Sequence, residues 1–393
     1  MSIEVIAGGG LFDVQGLRGA AVAAGVKPSG GLDVALIVAA EPMVAAGMFT
    51  RCSVAAAPVV LCRERLRQNP SVRSIVINSG NANALTGPQG DRDAEAMLAA
   101  TEASCGGPAL VLSTGVIGVP LPIERIVQGI GAAAARLDAG EEDAVARAIL
   151  TTDSCTKQHA VRLGRGVVGG LAKGSGMIHP DMATMLAVIA TDVPLTADAA
   201  DALLRYAVDR SFHQISVDGD TSTNDAVLLL APPAVDEASP ADLSEVRQGI
   251  VDVARSLAEQ ILCDGEGVAR TMDLRVQGAA TEADARAIAA SVARSPLVKT
   301  ALAGGDPNWG RILAAVGNAG VAIAPRDITL RLGDQVVFAR GAPVSVDGAA
   351  LARAFAQERV HVALRVGDGA CEGRMLTGDL THRYVEINAE YTT

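Results

Sequence analysis

The sequence predicts a tightly packed protein of the α/β or α+β class. Hydrophobic residues make up 49% of the 393 residues, whereas aromatic residues make up only 2%. Such a core is built mainly from small aliphatic side chains, which suit closely packed helices and strands. Strand and helix patterns also alternate irregularly along the chain. A chain of this length can form one large or two medium domains, each with its own core.

Buried strands are predicted wherever a short apolar run is bounded by Gly or polar residues. These runs span 32–39, 74–77, 226–231 and 273–277.

Helices are predicted from caps and from apolar residues that recur every three or four positions. Ser239 is a good N-cap and Pro240 suits a first helical position. Thr281, with Asp284 three residues later, indicates another helix start. The predicted helices run over about 197–210, from Pro240 to Ile261, and from Thr281 to about Ser295.

Charge and hydropathy exclude several kinds of partner. Lys and Arg total 33 against 44 Asp and Glu, a net charge of -11, and no basic stretch offsets it. Nucleic acids and anionic membranes are therefore not expected as partners. The sequence has no run of roughly 18 apolar residues that could span a membrane. Met1 to Phe12 does not resemble a signal peptide. We expect a soluble cytoplasmic protein.

Neither cysteines nor histidines predict a metal site. The six cysteines are scattered without a CxxC pair, and the five histidines lack metal-ligand spacing. We expect no metal and no disulfide, with the cysteines buried as reduced thiols. HExxH, phosphate-loop and nucleophile-elbow patterns are also absent. His179, beside a proline, is expected to be structural.

Gly-rich stretches with polar neighbours are the candidate walls of a site. Glycine permits close backbone approach and positive φ, although each stretch could also be a tight turn. Because there are five such stretches, all with polar neighbours, a ligand-binding or catalytic site is favoured over five unrelated turns. They are 78–87 (NSGNANALTG), 113–118 (STGVIG), 173–184 (KGSGMIHPDMAT), 264–267 (DGEG) and 304–311 (GGDPNWGR).

The stretch KGSGMIHPDMATML contains a nucleophile that would need no histidine. A threonine at a chain N-terminus carries its own base, because an α-amine titrates near neutrality. Thr184 would reach that state if its hydroxyl attacked the carbonyl of Ala183 and the resulting ester hydrolysed. The small side chain of Ala183 permits this approach. The residues alone leave open whether the cut occurs.

Two other segments are expected to be structural. DGDTSTND (218–225) lacks the Gly and the acidic residue that a calcium loop needs at its sixth and twelfth positions, where Thr223 and Leu229 stand. Trp309, the only tryptophan, is expected to anchor packing.

These stretches resemble, in order and over essentially the whole chain, the ornithine acetyltransferases, the bifunctional glutamate N-acetyltransferases of arginine biosynthesis. The resemblance continues in TTD from Thr151, VDGDTSTNDAVLLLA from Val217, SPLVKTALAGGDPNWGR from Ser295 and the terminal YVEINAEYTT. It implies the α/β sandwich of that family. It also implies a chain that cuts itself into residues 1–183 and 184–393, which assemble as two copies of each piece.

The resemblance further assigns residue roles. Ala183–Thr184 would be the scissile bond and Thr184 the nucleophile, with Thr114 and Gly115 forming the oxyanion hole. Lys173 suits a substrate carboxylate, and Glu266 would bind the amine-bearing end. The substrate-contacting residues would be Thr152, Lys173, Thr184, Glu266, Asn388 and Thr393.

The implied reaction moves acetyl from N2-acetylornithine to glutamate by a ping-pong route through acetyl-Thr184. It needs no cofactor, and acetyl-CoA is a candidate second donor. Asp181 and Arg270 stand where the family often has Asn and Lys, so a paralogue from a specialised antibiotic pathway is an alternative. An amidase or aminopeptidase on the same fold is another, because water could resolve the acyl-enzyme. A third is an inactive, ligand-binding relative.

Overall fold

Two mixed β-sheets and the helices that cover them make up the computed structural model, which describes residues 3–179, 185–234 and 240–390. The strands are β1 (Glu4–Val5), β2 (Leu17–Val22), β3 (Val34–Phe49), β4 (Ser71–Asn81), β5 (Ala109–Val116), β6 (Lys157–Leu163), β7 (Gly166–Lys173), β8 (Leu186–Thr191), β9 (Ile215–Ser216), β10 (Ala226–Ala231), β11 (Thr271–Ala279), β12 (Thr329–Leu332), β13 (Gln335–Ala339), β14 (Ala342–Pro343), β15 (Arg359–Arg365) and β16 (Cys371–Gly378). The α-helices are α1 (Ala57–Gln68), α2 (Gly87–Cys105), α3 (Ile123–Ala134), α4 (Asp143–Ala148), α5 (Ala197–Val208), α6 (Pro240–Cys263), α7 (Glu282–Arg294), α8 (Pro296–Gly304), α9 (Trp309–Gly317), α10 (Gly348–Phe355) and α11 (His382–Glu390).

The first sheet lies between two helical layers. Its strand order within the described residues is β1-β6-β7-β8-β10-β3-β4-β5, with β2 paired to β3. Helices α1 to α4 share one core with this sheet, and α5 and α6 share a second core on its other face. This arrangement confirms the predicted α/β sandwich, because helices cover both faces of the sheet.

The central strands β8 and β10 explain why apolar runs predicted strands well. In β8, Leu186 and Val188 belong to one core while Ala187 and Ile189 belong to the other. A strand buried on both faces is apolar at every position rather than at alternate ones. The predicted strand 226–231 coincides with β10.

The other predicted strands are confirmed but longer than expected. The runs 74–77 and 273–277 lie within β4 and β11, and most of 32–39 lies within β3. β3 continues well past Ala39, across an irregularity in its pairing with β4 between Val38 and Met43. Glu41 and Pro42 fall at this irregularity, and such polar and proline residues resemble a strand end in the sequence.

The predicted helices are confirmed as α5, α6 and α7. Thr281 caps α7, since its hydroxyl accepts the backbone N–H of Asp284 at 3.0 Å. Ser239, the predicted cap of α6, lies outside the described residues. Helices α1 to α4 and α8 to α11 were not among the predicted elements.

The second sheet has the order β14-β13-β12-β15-β11-β16-β9 and its own core, to which α7, α8, α9 and α10 contribute. The ring of Trp309 lies 5.9 Å from that of Phe338 at the edge of this core, which confirms its predicted packing role. Helix α6 packs on β6 and β7 and also contacts β16, so it joins the two sheets.

Two further sequence expectations concern membranes and cysteines. Across the described parts of the chain, no helix is both long and apolar enough to cross a bilayer. All six cysteines are free, but the expectation that they are buried holds only for Cys62. Cys155, in a bend before β6, and Cys263, the last residue of α6, are exposed.

Candidate functional site

A cleft beside the first sheet gathers residues from distant parts of the chain. Of the residues predicted to act in a site, it brings together Thr114, Gly115, Thr152, Lys173, Glu266 and Asn388. Ala183, Thr184 and Thr393 lie outside the described residues. The remaining lining residues are Ala82, Ile117, Thr151, Gly176, Met177, Ser222, Thr223 and Asn224.

Lys173 places a buried ammonium group at this cleft. It is the last residue of β7, and only 2% of it is exposed, so it is not a surface cation. Its Nζ donates to Thr151 Oγ1 at 2.7 Å and to Thr114 Oγ1 at 3.4 Å. The Asp153 carboxylate lies 3.7 Å away. A fixed ammonium group at a cleft suits an anionic part of a ligand, because Asp153 is shared with Lys157 and opposite charges attract strongly where water is scarce.

Thr114 and Gly115 lie near the end of β5, which runs parallel to β4. Thr114 is buried, and because its hydroxyl oxygen accepts from Lys173, its own proton remains available for donation. Gly115 has φ of +132°, and a Cβ there would collide with the backbone of Gly80 and Asn81. Only glycine therefore lets the two strands approach this closely next to the cleft.

Asp153 connects Lys173 to a second buried cation. Its carboxylate accepts Lys157 Nζ at 2.8 Å and the backbone N–H of Gly174 at 2.6 Å. Lys157 is fully buried and also contacts Asp264 at 2.5 Å. Burial by itself would raise the pKa of Asp153, but Lys173 and Lys157 hold that pKa well below its usual range. Asp153 therefore stays ionised.

The sequence motifs assign no role to this buried network, although TTD is among the matching blocks. Its only local signal is a carboxylate next to two threonines. The contact that completes the network joins Lys157 to Asp264, which lies 107 residues away along the chain. The spacing of residues within a short motif cannot predict a contact between residues so far apart in the sequence.

Glu266 supplies a carboxylate at the same cleft. It is 7% exposed, and its backbone N–H donates to Ser175 O at 2.9 Å. Its Oε2 accepts Asn388 Nδ2 at 2.8 Å. A Cβ on Gly176 would lie 2.5 Å from the Glu266 carboxylate, so the carboxylate packs against bare backbone. Thr152 Oγ1 lies 2.6 Å from Ser175 Oγ, so Ser175 contacts both Thr152 and Glu266.

The segment DGDTSTND, expected to be structural, contributes Ser222, Thr223 and Asn224 to the lining of the cleft and is bonded to the rest of its wall. Asn224 Nδ2 donates to Ala82 O at 2.6 Å and to Ser113 O at 2.9 Å, which ties this loop to the wall that carries Thr114. The described residues include no cluster of His, Cys, Asp or Glu that could hold a metal ion. His179 is buried, with its Nδ1 3.0 Å from Ser216 Oγ.

An ammonium group, a carboxylate and several hydroxyl groups thus converge on one cleft at the edge of a sheet. Acyl transfer requires donors directed at a developing oxyanion, together with charges that hold the substrate. The fold and the cleft suit an enzyme of the acyl-transferring class that acts on small substrates.

The chain belongs to the ArgJ family, whose model matches residues 18–393. The arginine biosynthesis bifunctional protein ArgJ of Parasynechococcus marenigrum is 44% identical over 98% of this chain and 96% of that protein. The protein of the same name from Gloeobacter violaceus is 46% identical over 98% of both. These matches confirm the predicted family and an acyltransferase of arginine biosynthesis.

Solved structures of this group also match parts of the chain. The ornithine acetyltransferase of Mycobacterium tuberculosis complexed with ornithine is 37% identical, with a TM-score of 0.43, over 46% of this chain and 98% of that chain. An arginine biosynthesis bifunctional protein from Bacillus halodurans is 29% identical, with a TM-score of 0.48, over 52% of this chain and 98% of that chain.

Proposed function

We propose that this protein transfers an acetyl group from N2-acetylornithine to glutamate through an acetyl ester on Thr184. The observation that carries the proposal is the buried Lys173 ammonium, which lies 3.4 Å from Thr114 Oγ1 at a cleft that also holds Glu266. A substrate with a carboxylate at one end and an ammonium group at the other could pair its carboxylate with Lys173 and its ammonium group with Glu266. The acetyl group between them would face the Thr114 hydroxyl.

The nucleophile would arise by self-cleavage before Thr184. The Thr184 hydroxyl oxygen attacks the carbonyl carbon of Ala183, the C–N bond breaks, and the hydroxyl proton goes to the leaving amine. Water then hydrolyses the ester, which leaves a carboxylate on Ala183 and a free hydroxyl on Thr184. The neighbouring described residues support this position, because Leu186 pairs with Lys173 across β7 and β8. The chain thus re-enters the sheet beside the cleft.

Residues 1–183 and 184–393 would remain associated after the cut. Strand β7 belongs to the first piece and β8 to the second, yet they pair over the register from Val168–Thr191 to Lys173–Leu186. Strand β10, also in the second piece, pairs with β3 of the first. Separating the pieces would expose a sheet that is buried on both faces. Assembly as two copies of each piece and a cytoplasmic location are part of the proposal.

In the first half-reaction, the Thr184 α-amine accepts the hydroxyl proton and Thr184 Oγ1 attacks the acetyl carbonyl. The Thr114 hydroxyl and the Gly115 N–H donate to the oxyanion, where one donor typically contributes about 3 to 4 kcal/mol. Ornithine leaves with the proton on its amine. In the second half-reaction, the amine of glutamate attacks the ester, N-acetylglutamate leaves, and the proton returns to Thr184 Oγ1.

The remaining predicted residues bind substrate in this scheme. Lys173 pairs with the α-carboxylate shared by both substrates. Glu266, oriented by Asn388, pairs with the ammonium end of ornithine. Thr152 and Thr393 complete the contacts. Acetyl-CoA, as a second donor, would form the same ester.

The substitution at Arg270 does not alter the cleft and so gives no support to a paralogous pathway. Arg270 Nη1 donates to Leu302 O at 3.3 Å and packs near Gly305, away from the lining residues. Asp181, the other departure from the family pattern, lies outside the described residues.

Intact mass spectrometry of the wild type and of Thr184→Ala tests the proposal. The wild type should give two pieces that meet between Ala183 and Thr184, and the variant one chain of 39.9 kDa. Incubation with labelled N2-acetylornithine should then label the piece that begins at Thr184, and glutamate should remove the label. An uncut wild type would refute self-cleavage. Label lost to water without glutamate would instead indicate an amidase.

A further inference from the structure

One loop forms hydrogen bonds with the backbone both before and after residues 180–184. The loop spans residues 217–225 and is called the clamp loop here. It contains three carboxylates, at Asp218, Asp220 and Asp225. Two of them accept backbone N–H groups from residues that flank the predicted cleavage segment.

Asp218 binds the chain before the segment. Its two carboxylate oxygens accept the backbone N–H groups of Met177 at 2.5 Å and of Ile178 at 2.9 Å. The backbone of the clamp loop adds a further bond, because Val217 N donates to Ile178 O at 2.7 Å. These bonds hold Met177 at a φ of +57°. This conformation is unfavourable for a residue with a long side chain and persists only where its surroundings impose it.

Asp225 binds the chain after the segment. Its Oδ1 accepts Met185 N at 2.9 Å, and Ala226 N donates to Met185 O at 3.1 Å. Both polar backbone groups of Met185 are thus bound by two consecutive residues. Asp225 is fully buried, and its Oδ2 has no hydrogen-bond partner in the part of the chain that the structure describes. Burial raises the pKa of this carboxyl well above its ordinary value.

Packing alone does not account for this arrangement. Burying a carboxyl group is costly, and a loop that only filled space would not need one at each end. The middle residue, Asp220, shows the contrast, because it is exposed and its backbone N–H donates to Asp218 Oδ1 at 3.2 Å. The carboxyl groups of Asp218 and Asp225 differ from that of Asp220 in one respect. Each accepts backbone N–H groups from residues next to segment 180–184, Asp218 on its N-terminal side and Asp225 on its C-terminal side.

We infer that the clamp loop positions the chain for cleavage between Ala183 and Thr184, with Asp218 and Asp225 as the two positioning residues. The inference rests on the self-cleavage proposed above. Fixing Met177 and Ile178 on one side and Met185 on the other limits the conformations of the residues between them. The hydroxyl of Thr184 and the carbonyl carbon of Ala183 then meet more often in an attacking geometry. Neither aspartate takes part in bond making or breaking.

The test follows the cleavage of newly made full-length chain. Wild type, Asp218→Asn, Asp225→Ala and Asp220→Asn are synthesised in a cell-free system with labelled methionine, and the appearance of the two pieces is timed on gels. At position 218, Asn keeps the size of Asp but places an NH2 group against one of the two N–H donors. At position 225, where one oxygen of a buried carboxyl accepts Met185 N–H, only removal of the side chain abolishes the bond, so Ala is used. We expect cleavage to slow about 10-fold or more in Asp218→Asn and Asp225→Ala, since small misplacements are costly. Asp220→Asn is the matched control and should cleave within about twofold of the wild type, as surface changes usually do.

Thermal unfolding separates positioning from folding. The same three substitutions are made in Thr184→Ala, which should not cleave, and their unfolding midpoints are compared. Slow cleavage by a variant that is fully folded at the assay temperature supports the clamp. Wild-type cleavage rates in both Asp218→Asn and Asp225→Ala would overturn it, as would slowing only in variants that are unfolded at that temperature. An uncut wild type would overturn the self-cleavage proposal and the clamp together.

Discussion

Asn388 Nδ2 lies 2.8 Å from Glu266 Oε2, so a residue of the last helix, α11, binds a carboxylate that follows α6. The same amide also donates to Tyr384 O at 3.0 Å, one turn earlier in α11. Asn388 is thereby held in one orientation by its own helix. The C-terminal helix consequently fixes the direction of the Glu266 carboxylate in the cleft.

Replacing Asn388 with Ala should therefore weaken substrate binding more than chemistry. A hydrogen bond to a charged group contributes roughly 1.5 to 3 kcal/mol, so KM for N2-acetylornithine should rise about 10-fold or more while kcat changes little. Steady-state kinetics measure both constants. Glu386→Gln is the control, because Glu386 is on the exposed side of α11 and pairs with Arg383 at 3.1 Å. A fall in kcat with KM unchanged would contradict the assigned role.

Gly115 and Gly118 offer a matched pair for testing the oxyanion hole. Both have positive φ, at +132° and +80°, but only a Cβ on Gly115 meets backbone, whereas one on Gly118 meets open space. Gly115→Ala should separate β4 from β5 and lower kcat by about 10²- to 10³-fold, the usual loss of one oxyanion donor. Gly118→Ala should cost about 1 kcal/mol of stability through its φ alone.

Activity assays and denaturant unfolding of both variants measure these effects. Equal losses of activity in the two variants would show that positive φ matters more than the close approach of the two strands. The oxyanion-hole assignment of Gly115 would then lose its structural support.

The sequence predicted best those elements whose signals are local. β10 was predicted with its observed bounds because a strand buried on both faces is apolar throughout. The start of α7 was predicted because Thr281 and Asp284 form a local cap. Helix α2 was missed because it opens with Gly87 and Pro88, which resemble a loop, although proline suits a first helical turn.

The site was predicted through family motifs, and these are local as well. The motifs predicted Thr114, Lys173 and Glu266 as site residues, and the structure brings these three to one cleft. The motifs did not predict the hydrogen bonds between Asp218 and Met177 or between Asp225 and Met185, because each bond joins residues about 40 positions apart. Contacts of that kind depend on how β8, β9 and β10 are arranged, which one sequence does not specify.

Lys157 should be important for stability, because it lies between two carboxylates, Asp153 and Asp264, in a buried site. Lys157→Met would remove the cation that contacts Asp264 and would leave Asp153 with Lys173 alone, 3.7 Å away. Breaking a buried ion pair in this way costs about 3 to 5 kcal/mol. Urea unfolding should show this loss. The control is Arg205→Met, which breaks the exposed pair with Asp201 and should change stability by less than about 1 kcal/mol. Equal effects would show that the buried network contributes little.

The rate of self-cleavage should depend on the ionisation of Asp218. Burial raises the pKa of Asp218 from 3.8 to about 6, and the nearby charge of Asp220 raises it further, while the N–H groups that it accepts act in the opposite direction. Lys299 faces it from α8, and Tyr384 faces it from α11. Because the ionised carboxylate makes the stronger bonds to N–H groups, cleavage should slow as the pH falls below about 6.

The same ionisation has an opposite effect on stability. A carboxyl whose pKa is higher in the folded chain binds its proton more tightly there, so the free energy of unfolding should fall as the pH rises from about 4 to about 6. Above that range the cost is fully present. Chemical unfolding of Thr184→Ala across this range measures the fall, and Asp218→Asn in the same background should lack that component. The Thr184 α-amine does not exist before the cut, so it cannot produce an inflection in the cleavage rate. An inflection near pH 6 that persists in Asp218→Asn would assign the titration to another group.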